Sequence, residues 1–241
     1  MIRRVTFKSE NYTLVGNLHI PYSGAPCIIT LHGLDSHKDG GKWPIVAEEL
    51  YKAGFACLRF NFRGCGVGED KSEGEFEKTT LTSRIRDLKA ALNYLIRRLN
   101  VEIDIKRLGV FASSFGSMVA VISKHAFRAM VLLATPRRIP EIQINSDYIT
   151  LPSGRKLHKN FFNDVKKYDL INYIKNNPPT LFVHGENDGI IPPTHSIELY
   201  NAAQPPKELV IVKGADHIFS NRKHLMHIID LGIKWFKKYI Y

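Results

Sequence analysis

A chain of 241 residues, 44% hydrophobic and 24% charged, is long enough to bury one sizeable core and is ordinary for a soluble globular protein. No stretch reaches the length of a membrane span, and Met1 to Lys8 carries early positive charge without the apolar run of a secretory signal. The odd set Cys27, Cys57 and Cys65 lacks metal-ligand spacing and excludes an even disulfide framework; small buried thiols in a reducing, cytoplasmic compartment are expected.

Taken in order, residues 5–9 and 12–20 alternate as two strands joined at Glu10-Asn11, and Pro21 to Pro26 is a loop. Cys27 to Leu31 is an apolar run without alternation, as in a strand covered on both faces of a mostly parallel sheet. Pro44 to Ala53 reads as a helix with Ile45, Val46, Leu50 and Tyr51 on one side, stopped by Gly54. Phe55 to Phe60 is the next strand, and Asn61 to Gly74 a glycine-rich loop. Leu81, Ile85, Leu88, Leu92, Leu95, Ile96 and Leu99 recur mostly every three or four residues, which predicts an amphipathic helix over Thr82 to Asn100. Strands follow at 107–111, 129–133, 180–183 and 208–212, with helices after the first of these, over Thr194 to Ala203, and from about Asn221 to Tyr239. This alternation predicts a single α/β domain over 1–241, a mostly parallel sheet with helices on both faces.

Residues 135–167 break the pattern, with a hairpin expected around Tyr148 to Leu157 turning at Ser153-Gly154. A long insertion between the sixth and seventh strands reads as a cap or lid over the carboxyl ends of the strands, where open α/β sheets bind ligands. Tyr148, Phe161 and Phe162 are its candidate substrate-facing aromatics.

The chemistry centres on Ala112-Ser113-Ser114-Phe115-Gly116, between the apolar strand Leu108 to Phe111 and the helix-like Met118 to Ile122. A strand that turns at once into a helix needs small flanking residues and pushes its central side chain outward, the physics of the G-x-S-x-G nucleophile elbow. Ala112 stands where the first glycine is usual. Ser113 is a rival hydroxyl, but Phe115 occupies the position two residues after it. A serine hydroxyl needs a base, and the base an anion to orient it. Asp188 follows the strand 180–183 and His217 follows 208–212, so the order is Ser114, Asp188, His217, that of α/β-hydrolases. The turn His32-Gly33-Leu34 after the third strand supplies backbone N–H donors for an oxyanion, assigned to Leu34 and Phe115. Asp35 beside that turn either lines the pocket or caps local backbone.

Blander readings exist for each. Asp188 and Asp216 both suit turns. His224 and His227 lack an HExxH pattern, so no metal is expected, and Arg63 to Gly68 lacks the Lys-[Ser/Thr] ending of a phosphate loop, so no cofactor is expected either. The net charge of +11 is spread in short groups such as Arg97-Arg98, Arg137-Arg138, Lys166-Lys167 and Lys237-Lys238, with no nucleic-acid signature. A solvated surface and no nucleic-acid partner are expected.

The residues His32-Gly33, Phe60 to Gly66, Ala112 to Gly116, His184 to Asp188 and Gly214 to His217 make the chain resemble the α/β-hydrolase superfamily over essentially its whole length. Its inserted cap is similar to that of the feruloyl/cinnamoyl esterase and related carboxylesterase group. The resemblance implies Ser114 as nucleophile, Asp188 as acid and His217 as base, acting on a small-molecule ester with a small to medium or aromatic acyl group. It departs from the pattern at Ala112 and at Ser117, where a second glycine often follows Gly116. Amidase, peptidase or thioesterase activity at the same site is one alternative; a non-catalytic hydrolase-fold protein binding an acidic partner is another. A homodimer is compatible with the sequence.

Overall fold

The computed structural model describes residues 1–125, 127–140 and 146–241. The chain opens with two antiparallel strands, Ile2–Ser9 (β1) and Tyr12–His19 (β2). Ala25–Leu31 (β3) is buried at every position, as its unbroken apolar run requires. Trp43–Lys52 (α1) and Ala56–Phe60 (β4) follow. Leu81–Arg98 (α2) starts at a reciprocal cap, Thr80 with Ser83, and ends in Arg97 and Arg98 at its negative pole. Next come Ile103–Ser113 (β5), Phe115–Ile122 (α3) and Ala129–Leu133 (β6). The short hairpin Tyr148–Thr150 (β7) and Lys156–His158 (β8) precedes Asn160–Val165 (α4) and Ile171–Ile174 (α5). Thr180–Gly185 (β9), Thr194–Ala202 (α6), Lys207–Val212 (β10) and Arg222–Ile240 (α7) complete the chain.

The sheet runs β1-β2-β4-β3-β5-β6-β9-β10, parallel from β4 through β10, with β1/β2 and β2/β4 antiparallel. One face packs against α1 and α7, with Val46, Leu50, Ile228, Ile229 and Phe236 in its core. The other packs against α2 and α3, and its core takes in Leu157, Phe161 and Phe162 from the segment after β6. This is the mostly parallel α/β sheet that the alternation of elements predicts, and the α/β-hydrolase fold that the resemblance implies.

Chain direction decides where a site can form. After β3 the chain steps to β4 on one side, then crosses back to β5 on the other. Right-handed crossovers therefore place α1 and α2 on opposite faces, and a crevice opens at the carboxyl ends of β3 and β5. The loops carrying Gly33 and Ser114 leave the sheet there. A side chain built on Gly33 would stand 3.6 Å from the Ser114 Cβ.

Several expected details differ. Ile96 is 38% exposed, off the buried stripe of α2 that Leu92 and Leu95 continue. On α1 the buried face is Trp43, Val46, Ala47 and Leu50, so Ile45 and Tyr51 sit at its margin. The hairpin turning at Ser153-Gly154 is present, with Tyr148 opposite His158. Residues 141–145 of the expected 135–167 insertion lie outside the described residues.

Candidate active site

Ser114 sits between β5 and α3 with φ 54° and ψ −123°, a strained conformation for a residue bearing a side chain. The turn is held from both sides: Ser114 N–H donates to the Leu133 carbonyl at 2.8 Å, and its carbonyl accepts from Ser117 N–H at 2.9 Å. The small residues of the motif have separable reasons. A methyl group on Gly116 would fall 2.3 Å from the Leu31 carbonyl oxygen, so only glycine lets α3 approach β3. Ala112 is fully buried, and its methyl is accommodated inside the sheet. Ser117 is buried too and turns its hydroxyl toward the Leu133 carbonyl at 3.5 Å. Neither departure from the glycine pattern disturbs the elbow.

Two loops bring the other polar groups over the sheet end. Gly185 is where they meet, since a side chain there would lie 2.4 Å from the Ala215 carbonyl. The His217 Nδ1 proton is donated to Asp188 Oδ2 at 2.7 Å, which leaves Nε2 to accept from the Ser114 hydroxyl at 3.1 Å. Asp188 Oδ1 accepts from the Ile190 and Ile191 amides at 2.9 and 2.8 Å. Burial works against its charge, yet these donors, with His184 and His217, hold its carboxyl well below the usual carboxylate range. Asp216, the other acid nearby, accepts from the Ser220 amide and hydroxyl and closes its own turn. Ser113, the rival hydroxyl, is buried and accepts from Lys42 Nζ at 3.4 Å, away from the imidazole.

The turn after β3 runs beside the elbow, with Leu34 following Gly33, where a Cβ would stand 3.6 Å from the Ser114 Cβ. Among the described residues, neither the Leu34 N–H nor the Phe115 N–H is donated to a protein acceptor. Both donors are thus unpaired, one on the residue after Ser114 and one on the turn after β3.

A model of the prolyl oligopeptidase family matches residues 46–241. The chain belongs to that family. It is 30% identical over 233 residues to the uncharacterized protein YfhR of Escherichia coli O157:H7, a match covering 90% of this chain and 75% of the relative. Est1E from Butyrivibrio proteoclasticus, with ferulic acid bound, superposes with a TM-score of 0.87 at 20% identity, over 98% of this chain and 99% of the other. Pyrococcus furiosus esterase Pf2001 gives 0.79 at 23% identity, over 100% and 93%. These likenesses agree with the α/β-hydrolase resemblance carried by the sequence motifs.

In this member of the prolyl oligopeptidase family, the residues expected to face substrate are dispersed. Tyr148 is 41% exposed and its ring stands against His158. Phe161 and Phe162, on α4, are buried among core side chains. Phe161 does contact Phe115, ring centroids 5.2 Å apart. Asp35 pairs with Arg155 Nη1 at 3.4 Å across a cavity of about 380 Å³ bounded also by Gly64, Lys71 and Phe76. A larger cavity of about 950 Å³ runs between β1 and α2 and is lined by none of these residues.

Sequence reasoning missed two buried groups. His184, fully buried, lies with Nε2 3.0 Å from Asp188 Oδ2 and 2.9 Å from the Ile191 carbonyl. A carbonyl only accepts, so Nε2 carries the proton and Nδ1 takes the Ser196 hydroxyl at 2.7 Å. Its signal was the spacing of four residues to Asp188. Lys42, whose pKa burial pushes down to about 8, had no signal in the sequence. No helix among the described residues is long and apolar enough to cross a membrane, and no group of three or more His, Cys, Asp or Glu there is placed to hold a metal.

Proposed function

We propose that the protein is a serine hydrolase cleaving carboxylic esters of small to medium or aromatic acyl groups through an acyl-enzyme. The observation that carries this reading is the unbroken hydrogen-bonded line from Ser114 Oγ through His217 to Asp188, at 3.1 and 2.7 Å. Ser114 Oγ attacks the ester carbonyl as His217 Nε2 takes its proton. The carbonyl oxygen becomes an oxyanion held by the Leu34 and Phe115 amides, which need no reorganisation to receive it. His217 returns the proton to the departing alkoxide, releasing the alcohol. Water then loses a proton to the same imidazole, attacks the acyl-enzyme and frees the acid, restoring the Ser114 hydroxyl. Asp188 holds the imidazole in the tautomer that accepts at Nε2 and stabilises its cation.

Residues 135–167 act as the cap in this reading, and Arg155 at the hairpin turn ties it to the core through Asp35 and the Gly64 carbonyl. The ester assignment is supported by the esterases among the structural neighbours. Membership of a family named for a peptidase favours a second reading, hydrolysis of amide bonds by the same groups. An activated short-chain aryl ester tests the first. Wild type should release the phenol with a burst, and Ser114→Ala should release none above background; full turnover by the alanine variant would refute it. Matched ester, thioester and amide substrates then rank the two readings.

A further inference from the structure

Arg84 lies in the first turns of α2, facing inward, with no exposed surface. A buried guanidinium normally faces a carboxylate. This one donates to no carboxylate but to the Gly33 carbonyl at 3.0 Å, the Leu34 carbonyl at 2.8 Å, the Thr79 hydroxyl at 3.3 Å and the Cys65 sulfur at 3.5 Å. Its flat faces lie by the rings of Phe62 and Phe115, with its central carbon 4.8 and 5.2 Å from their centroids. It thus touches the turn that carries Leu34 and the residue that carries the other free amide.

Peptide geometry gives this contact a direction. In a planar trans peptide the C=O and N–H point opposite ways. The Gly33 carbonyl and the Leu34 N–H belong to one such unit, so a guanidinium that draws the carbonyl toward α2 turns the N–H away from it, toward the crevice. His32 reinforces the pull. Its Nδ1–H donates to the same Gly33 carbonyl at 2.8 Å, while Nε2 accepts from the Phe62 amide at 3.3 Å. That pattern needs a neutral ring, and burial together with the nearby Arg84 charge keeps the His32 pKa well below its ordinary value. Two donors on one carbonyl also polarise its peptide and strengthen the N–H at the far end.

We propose that Arg84 is the positioning residue of the oxyanion hole, clamping the Gly33 and Leu34 carbonyls so that the Leu34 N–H is held ready for the developing negative charge. The proposal rests on the reading of Ser114 as nucleophile. Arg84 touches no reacting atom. It fixes a donor that does, and its charge, with the Asp87 and Asp35 carboxylates near but not hydrogen-bonded to it, stands in a low-dielectric interior behind that donor.

The test compares Arg84→Met and Arg84→Lys with wild type and Ser114→Ala, using an aryl ester and a phenylboronic acid that forms a tetrahedral adduct. Arg84→Met should lose about 10²–10³ in kcat, the size of losing one oxyanion donor, with KM changed less than about threefold. The boronic acid Ki should rise by the factor that kcat/KM falls, while the pH profile of kcat/KM stays in place because His217 is untouched. Arg84→Lys keeps the charge but not the two-pronged grip, and should recover about tenfold of the loss. A purely structural role would lower the melting temperature and leave Ki and KM of the folded protein in their wild-type ratio; that result overturns the proposal. So does a folded Arg84→Met with kcat within threefold of wild type while Ser114→Ala is inactive. If Ser114→Ala keeps turnover, the parent reading falls instead. Should neither Arg84 variant fold, through-hydrogen-bond NMR couplings in wild type between the Arg84 Nη nitrogens and the Gly33 and Leu34 carbonyl carbons decide. Couplings that grow on boronic acid binding support the clamp, and their absence overturns it.

Discussion

At the scale of single residues, Asp188 shows how a carboxylate is tuned without a formal cation beside it. Four donors converge on it, two backbone amides on one oxygen and two imidazoles on the other. They outweigh the cost of burial, so the carboxylate stays charged across the range in which esters are assayed. Asp188→Asn keeps the shape but offers an N–H₂ to His217 Nδ1 and reverses the tautomer. Steady-state kinetics on an aryl ester should show kcat lower by about 10⁴ with KM little changed. A loss below tenfold would mean that His217 needs no anion. Ser114, Asp188 and His217 were legible because each stands at a strand's carboxyl end in a recognisable order. His184 was not read this way despite standing four residues before Asp188, because spacing alone does not say whether a ring inside an apolar strand turns toward the core or toward a neighbouring loop.

At the scale of elements, α2 is where sequence reading was both strongest and most incomplete. Its apolar spacing located the helix to within two residues at each end, since burial of Leu81, Leu88, Leu92 and Leu95 sets the period. The same logic sends charged residues to solvent, yet Arg84 and Asp87 are fully buried on that face. Their partners come from distant loops, which spacing along one helix cannot reveal. Asp87 receives Arg63 through Nε and Nη2, the latter at 2.7 Å, along with the Arg63 amide at 3.0 Å and the Ser9 hydroxyl at 2.7 Å. That cluster pins the glycine-rich loop after β4 to both α2 and the end of β1. Asp87→Ala leaves the Arg63 charge buried without its main partner, and urea unfolding should register a loss of about 3–5 kcal/mol. A loss under 1 kcal/mol would show the cluster to be incidental.

At the scale of the whole molecule, the alternating elements foretold the sheet, but the position of the crevice depends on the reversal of strand order at β3, a non-local feature of the pairing. The same long-range packing sets the response to acid. His19 and His32 are buried and stay neutral in the fold, His19 down to about pH 4 because burial and the Arg59 charge disfavour its cation. Their unfolded counterparts take up protons below their ordinary value of 6.5, so the unfolded state binds more protons and stability falls as pH drops from 6.5 toward 4. The Asp188 contribution has the opposite origin: it is complete above the ordinary carboxylate value of 3.8 and is lost as pH falls below it. Melting temperature should therefore decline from pH 7 to pH 4, and His19→Gln should flatten part of that slope. A melting temperature constant over that range would contradict this assignment.

The most direct measurement joins these scales. Wild-type protein is treated with a fluorophosphonate, digested, and the modified peptide mapped by mass spectrometry. The label is expected on Ser114 alone, at one per chain, and absent from both Ser114→Ala and heat-unfolded wild type. Label on Ser113 or another residue, or none on folded wild type, would contradict a nucleophile at the turn between β5 and α3.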